Sequence, residues 1–259
     1  MKHFILDIAS IKVRCDFTYP LPKMAQAKYA NFIAADGHYD HRLHLHYNID
    51  SIPRANQDAA YLIKGNKIHF YRNDFIGSLD LTSHEGDIYM FPSLFTMESL
   101  LRLVYSSLLN LDHGFIIHSS SIKHDNKGYL FSGASGSGKS TIARLIGATI
   151  LSDELVAVRE VAGRFLVFGT PFLSKFVFGG HNESAPLAGF YLLNKADHNR
   201  KIPLSPLQTL TRLLPNIFFV SSDKGLHHKL LHTAERFVKS TASYELYFKK
   251  DASVRETVF

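Results

Sequence analysis

Over its first ninety or so residues the chain alternates apolar and polar positions with the period of two that marks half-buried strands. In "HRLHLHYNID" (41–50), Leu43, Leu45 and Tyr47 alternate with His44, His46 and Asn48. "AYLIKGNKIHFYRN" (60–73) reads as two short strands around a Lys64-Gly65-Asn66-Lys67 turn, which is a hairpin signal. "DIYMF" (87–91) adds a strand, and the opening "MKHFILDIASIKVRCDF" reads as a first strand rather than a signal peptide, broken by Asp7, Lys12, Arg14 and Asp16. The period then changes. In 93–110 the apolar residues Leu94, Met97, Leu100, Leu101, Val104 and Leu108 recur at helical spacing. That helix is expected to link an N-terminal β-rich subdomain (1–92) to a second domain (93–259). Its apolar stripe is expected to be core, although part of it could serve a subunit contact, which leaves homo-oligomerisation open.

The second half alternates strands and helices. Strands are predicted over 115–123 and 128–133, joined by the turn-rich "HDNKG". A helix follows over 140–148, then strands over 154–160, 164–169 and 189–194, the last nearly all apolar and so expected to be central. "SPLQTLTRLLP" (205–215) predicts a helix capped by Ser205, with Pro206 at its first position and Pro215 at its end. A further helix over 221–240, interrupted in pattern near Gly225, and a strand over 244–250 complete the reading.

Composition narrows the class. At 46% hydrophobic and 20% charged residues the chain has the means to bury a core. No apolar run reaches the ~18 residues of a membrane-spanning helix. The single cysteine, Cys15, excludes an internal disulfide and a cysteine metal cage. A cytoplasmic protein without a membrane partner is expected. The net charge of +6 is scattered rather than gathered into a stripe or tail, so nucleic acid is not expected as a partner.

The sharpest chemical signal is "GYLFSGASGSGKSTIARL" (128–145). Gly133-Ala134-Ser135-Gly136-Ser137-Gly138-Lys139-Ser140 satisfies G-x-x-x-x-G-K-[ST], followed by Thr141. Glycines let backbone N–H groups approach phosphate oxygens, and the helix that follows points its positive end at them. Lys139 would bind the β and γ phosphates, while the Ser140 hydroxyl would ligate Mg²⁺. Nucleotide binding by 133–141 is the expectation, against a chance glycine-serine turn. Fourteen residues beyond Lys139, "LSDE" brings the adjacent carboxylates Asp153 and Glu154, able to divide the roles of base and metal ligand. A plain polar loop is the competing reading. His118, inside the apolar "FIIHSSS", is expected to share a face with Ile116 and Ser120 and to lie beside the phosphate site through the hairpin.

Together "HSSSI", "GYLFSGASGSGKST", "LSDE" and "GTPF" (169–172) resemble the HPr kinase/phosphorylase-like group, relatives of the ATP-dependent phosphoenolpyruvate carboxykinases. The resemblance covers roughly 113–195 well and the C-terminal remainder loosely, and no motif of it reaches the N-terminal ninety residues. It implies an α/β fold with a P-loop core of the HPr-kinase and carboxykinase type; the N-terminal β-rich subdomain ahead of that core is read from the strand pattern alone. It also implies an ATP- and Mg²⁺-dependent serine kinase. Asp153 would take the proton of the acceptor hydroxyl, Glu154 would assist the metal, His118 would contact the phosphates or metal shell, and Lys139 would hold the phosphates. The downstream glutamate- and arginine-containing signature of true HPr kinases has no counterpart here. The comparison therefore points to the shorter HPr-kinase-like proteins that phosphorylate a serine on a peptide or protein, such as a ribosomally made precursor peptide. An N-terminal β subdomain would suit docking of such a peptide along a sheet edge. A small-molecule or free-amino-acid kinase, a nucleotide-binding regulatory module without transfer, and a carboxykinase-like enzyme are the alternatives. The histidines at 38, 41, 44 and 46 are read as a solvated strand face ahead of a metal site, and "FVFGGHNESAPL" (176–187) as a surface connection or a substrate-covering loop.

Overall fold

The computed structural model describes residues 3–18, 27–47, 58–172 and 180–259. The chain forms two compact units, one of 1–111 with 219–227 and one of 112–218 with 228–259.

The first unit is built on a seven-stranded sheet. Its strands are β1 (His3–Ile8), β2 (Ile11–Phe17), β3 (His41–His46), β4 (Ala60–Lys64), β5 (Lys67–Arg72), β6 (Phe75–Asp80) and β7 (Glu85–Met90), in the order β1-β2-β3-β7-β6-β5-β4. Neighbours are antiparallel except β2–β3 and β3–β7. The alternation along β2 buries Ile11, Val13, Cys15 and Phe17. The opening segment is two strands rather than the one expected. Ala9 and Ser10 take φ of 56° and 59°, a two-residue turn that pairs Ile8 with Ile11. Such turns favour Asn-Gly or Asp-Gly, so Ala-Ser carried no signal.

The long helix α1 (Leu94–Leu111) packs on β4 and β5, and its Tyr105 hydroxyl donates to the Leu6 carbonyl at 2.8 Å. The compact units accordingly divide after Leu111, beyond the boundary expected at residue 92. On β3, His46 sits 2.7 Å from the Asp87 carboxylate, and the His41 and His84 rings approach at 3.3 Å. Among the described residues no group of three or more His, Cys, Asp or Glu forms a candidate metal cluster.

The second unit is a larger sheet in which two long strands change partners. β8 (Gly114–His124) pairs first with β11 (Leu155–Val161), then with β9 (Lys127–Ser132) on one side and β10 (Thr149–Ser152) on the other. β13 (Ser184–Lys195) pairs with β12 (Arg164–Phe168), then runs between β9 and β15 (Ser243–Phe248). The apolar 189–194 segment is central, as its composition predicts. β14 (Arg200–Pro203) lies outside β15. Because β9, β13 and β15 are parallel, their carboxyl ends at Ser132, Lys195 and Phe248 reach the same end of the sheet.

Helix α2 (Lys139–Ile146) lies against β8 and β9. It buries Ile142, Ala143 and Ile146 in one core with Ile122, Phe131, Tyr191, Leu193 and Phe248. Helix α3 (Pro206–Leu213) begins as expected, with a capping box between Ser205 and Gln208 and Pro206 at its first position. Helix α4 (Lys224–Ser240) starts later than 221 because Asp223 accepts from the Leu226 N–H at 2.9 Å and so acts as its cap. A final short helix, α5 (Val254–Val258), went unread in the sequence. It packs on α2, with Arg255 donating to the Ile146 carbonyl at 3.3 Å and the Tyr191 hydroxyl donating to the Val258 carbonyl at 3.0 Å. Among the described residues no helix is long and apolar enough to cross a membrane.

Ile142→Ala opens a void under α2, where the native side chain is fully buried. A loss of about 2–4 kcal/mol is expected in urea unfolding; a loss below about 0.5 kcal/mol would contradict this packing.

Candidate functional site

The serines of "HSSS" are buried, and a buried hydroxyl needs a hydrogen-bond partner. Ser119 Oγ donates to the Phe131 carbonyl at 2.6 Å, and Ser120 Oγ donates to the Lys139 carbonyl at 2.8 Å. The Ser119 N–H donates to the Glu154 carbonyl at 3.0 Å. In return, Ser132 Oγ on β9 donates to the His118 carbonyl at 3.0 Å. Three consecutive residues of β8, His118 to Ser120, thus touch the strand entering the glycine loop, the first residue of α2, and the acidic turn. Ser121 is the exception: it lies opposite Ser152, the last residue of β10, in the strand register, and its Oγ is buried without a hydrogen-bond partner among the described residues.

The loop between β9 and α2 is shaped by glycine. Gly138 has φ of 101°, and a Cβ there would stand 2.7 Å from the Phe248 ring, so a side chain is excluded both by backbone conformation and by space. As the residue preceding α2, Gly138 supplies no side-chain cap. The N–H groups of the first turn therefore lack the partner that Ser205 gives α3. The Ser137 N–H donates to Ala134 at 3.0 Å, whereas Ser137 Oγ is buried without a hydrogen-bond partner among the described residues. Lys139 folds back over the loop. Its Nζ donates to the carbonyls of Gly133 at 2.8 Å and Ala134 at 3.1 Å. Half-burial pushes the Lys139 ammonium below the ordinary lysine range, because the charged form loses water.

A cavity of about 480 Å³ opens over this helix end. Gly136, Gly138, Lys139, Ser140 and Thr141 line it from the glycine loop and the start of α2, and Lys195, Ala196, Phe248 and Lys250 line it from the ends of β13 and β15. It lies at the carboxyl ends of three parallel strands, the position favoured for ligands in open α/β sheets. Lys195, Ala196, Phe248 and Lys250 were missed by sequence reasoning. Their signal is visible in retrospect, since the apolar strands "GFYLLNK" and "YELYFKK" both end in lysine.

Asp153 and Glu154 form the turn between β10 and β11, half-buried, and they do not line that cavity. The turn is anchored from two sides. Ser119 holds the Glu154 carbonyl, and Ser152 Oγ donates to the Leu155 carbonyl at 2.8 Å. The buried Thr170 of "GTPF" donates its hydroxyl to the same carbonyl. Gly169 is fixed by close approach, since a Cβ there would lie 1.9 Å from the His181 carbonyl oxygen. His118 does not share the environment of Ile116 and Ser120, with which it was expected to share a face. Ile116 and Ser120 are fully buried, while His118 is exposed, facing Leu155 across the pairing with β11 and meeting the Phe218 ring edge-on at 6.1 Å. β8 changes sheet partners at this residue, so the simple two-face alternation fails there. Of the "FVFGGHNESAPL" loop, 176–179 lie outside the described residues; beyond them, the His181 N–H donates to the Leu151 carbonyl at 3.2 Å.

Ser120→Ala removes the link between β8 and the first residue of α2. It is expected to cost about 0.5–1.5 kcal/mol and to speed amide hydrogen exchange in 133–141. Unchanged exchange across that loop would show that the serine does not hold it.

Comparison with known proteins places the chain in a family. No curated protein matches it. A solved structure of the HPr(Ser) kinase/phosphatase from Coxiella burnetii is similar over 55% of this chain and 93% of that one, at 9% identity and a TM-score of 0.34. A likeness at that level carries no argument about the site. The family model described as SynChlorMet cassette protein ScmC matches residues 88–244, more than half of the chain, including the glycine loop, the acidic turn and all three parallel strands up to the first residues of β15. The chain belongs to the SynChlorMet cassette protein ScmC family.

Proposed function

We propose that this protein is an ATP-dependent kinase that transfers the γ-phosphoryl group to a serine hydroxyl of a peptide or protein. The observation that carries the reading is the uncapped start of α2, which opens with Lys139 onto a cavity of about 480 Å³ while β8 ties it to a paired-carboxylate turn. Uncapped N–H groups at a helix start, joined by a lysine, make an anion site. In the reaction the acceptor oxygen attacks Pγ, the bond from Pγ to the bridging oxygen breaks, and ADP leaves. The acceptor proton passes to the Asp153 carboxylate. Lys139 exchanges its loop carbonyls for β and γ oxygens.

The oxygen donors Ser140, Asp153 and Glu154 are of the type that suits Mg²⁺, which keeps several water and phosphate ligands of its own. Mg²⁺ bound there would neutralise phosphate charge. His118, exposed beside the acidic turn, is placed on the acceptor side in this reading. A cassette protein is expected to act beside products of neighbouring genes, so peptides encoded next to it are the first acceptors to test.

A second reading, a nucleotide-binding module without transfer, is favoured by one observation: neither Asp153 nor Glu154 lines the cavity. Asp153→Asn separates the two. As a kinase the variant keeps ATP binding and loses transfer to a serine peptide by about 10²–10⁴-fold, read by mass spectrometry as loss of the phosphorylated product. A wild-type protein that binds ATP yet transfers to no acceptor encoded beside its gene supports the module. Lys139→Ala is expected to abolish nucleotide binding, and unaltered affinity would refute the phosphate-loop reading.

The lowered Lys139 pKa gives a pH test. Phosphate favours the ammonium, so the bound pKa lies above the free one. Between the two, binding takes up a proton, and affinity falls as pH rises through the free value. Calorimetry of ADP binding in buffers of different ionisation heat should show uptake growing as pH climbs toward the lysine range; none up to that range would contradict the assignment.

A further inference from the structure

The part of the cavity lining contributed by the ends of β13 and β15 carries two lysines with no assigned role. Lys195 ends β13, and Lys250 follows β15 by two residues. The acidic side chains nearest them in sequence are engaged elsewhere. The Asp197 carboxylate accepts from His198 at 2.7 Å, and Asp251 pairs with Lys249 at 3.1 Å and accepts from the Ser253 N–H at 3.0 Å. Among the described residues, the cavity lining contains no carboxylate. With Lys139 it therefore presents three ammonium groups and the uncapped start of a helix, which suits a ligand bearing several negative charges.

The sheet gives this site a direction. Across it the strands run β10, β8, β9, β13, β15. The acidic turn follows β10, the glycine loop follows β9, and the two lysines belong to β13 and β15. Neighbouring strands are about 4.8 Å apart, so the lysines lie about one and two strand spacings from the loop, on the side away from Asp153 and Glu154. Phe248 between them is buried and supports Gly138, which leaves the lysine heads and the loop as the polar surface.

We infer that Lys195 and Lys250 bind the nucleoside-proximal phosphates of a nucleoside triphosphate, so that the chain of phosphates lies across the sheet with its terminal group toward the acidic turn. This inference rests on the phosphate-loop reading and adds a polarity to it. A diphosphate keeps the groups nearest the nucleoside and lacks only the terminal one. The two lysines should therefore matter equally to ATP and ADP.

The test is calorimetric titration of ATP and of ADP into the wild type, Lys195→Ala/Lys250→Ala, Lys195→Arg/Lys250→Arg and Lys139→Ala. The alanine pair is expected to weaken both nucleotides by the same factor, about tenfold or more, and the arginine pair to restore most of the affinity. Loss for ATP with ADP unchanged would put the lysines at the terminal phosphate and overturn the polarity. No loss for either nucleotide, with Lys139→Ala still abolishing binding, would remove the lysines from the site and leave the loop intact. If Lys139→Ala also binds normally, the phosphate-loop reading itself falls.

Discussion

Buried serine hydroxyls favour backbone acceptors, and those that Ser119, Ser120 and Ser132 find tie together the strands and helix of the candidate site. Ser119 and Ser120 reach out of their own strand to the carbonyls of Phe131 and Lys139, and Ser132 reaches back to His118. Each such bond contributes only about 1 kcal/mol net. Leaving a buried hydroxyl unpaired costs more, so the three act together as a constraint on where β9 and α2 sit, while the Ser119 N–H holds the acidic turn through the Glu154 carbonyl. β8 can serve all of them because it changes partners at His118, from β11 to β9 and β10.

That constraint holds in place a loop with several unmet polar needs. α3 closes its first turn with a serine-glutamine capping box, whereas α2 of the same length starts at a glycine without one. Lys139 donates to two loop carbonyls, at the expense of hydration of its ammonium, and leaves the first-turn N–H groups of α2 unmet. Ser137 Oγ is buried without a hydrogen-bond partner among the described residues. A polyanion over the helix start would answer the uncapped N–H groups and the lysine together. The structure of the loop and the lysine-bearing ends of β13 and β15 are in this sense one electrostatic arrangement, built at the carboxyl ends of three parallel strands.

Much of the fold was legible because its signals are local. The period-two alternation of β3, the Gly65-Asn66 hairpin and the Ser205-Pro206 helix start are all set by residues within a few positions. What went unread depends on distant contacts or on turns without marker residues. The Ala9-Ser10 turn hid a second strand. The helix α5 is short and polar, and it is held by Arg255 and Val258 against residues more than fifty positions away. The exposure of His118 could not be read from alternation, because a strand that changes sheets has no single buried face. At the site, the glycine loop was plain from its spacing, but Lys195 and Lys250 came together only through the parallel pairing of β9, β13 and β15. The serines of "HSSS" were noted as part of a motif; their work as staples needed the register.

The most direct measurement is a crystal structure of the protein grown with ADP and Mg²⁺. The account predicts the β-phosphate against the backbone of 133–140, with Lys139 turned away from Gly133 and Ala134 toward it and the metal within reach of Ser140 and the Asp153-Glu154 turn. A nucleotide bound elsewhere, with Lys139 still folded on its own loop, would contradict it.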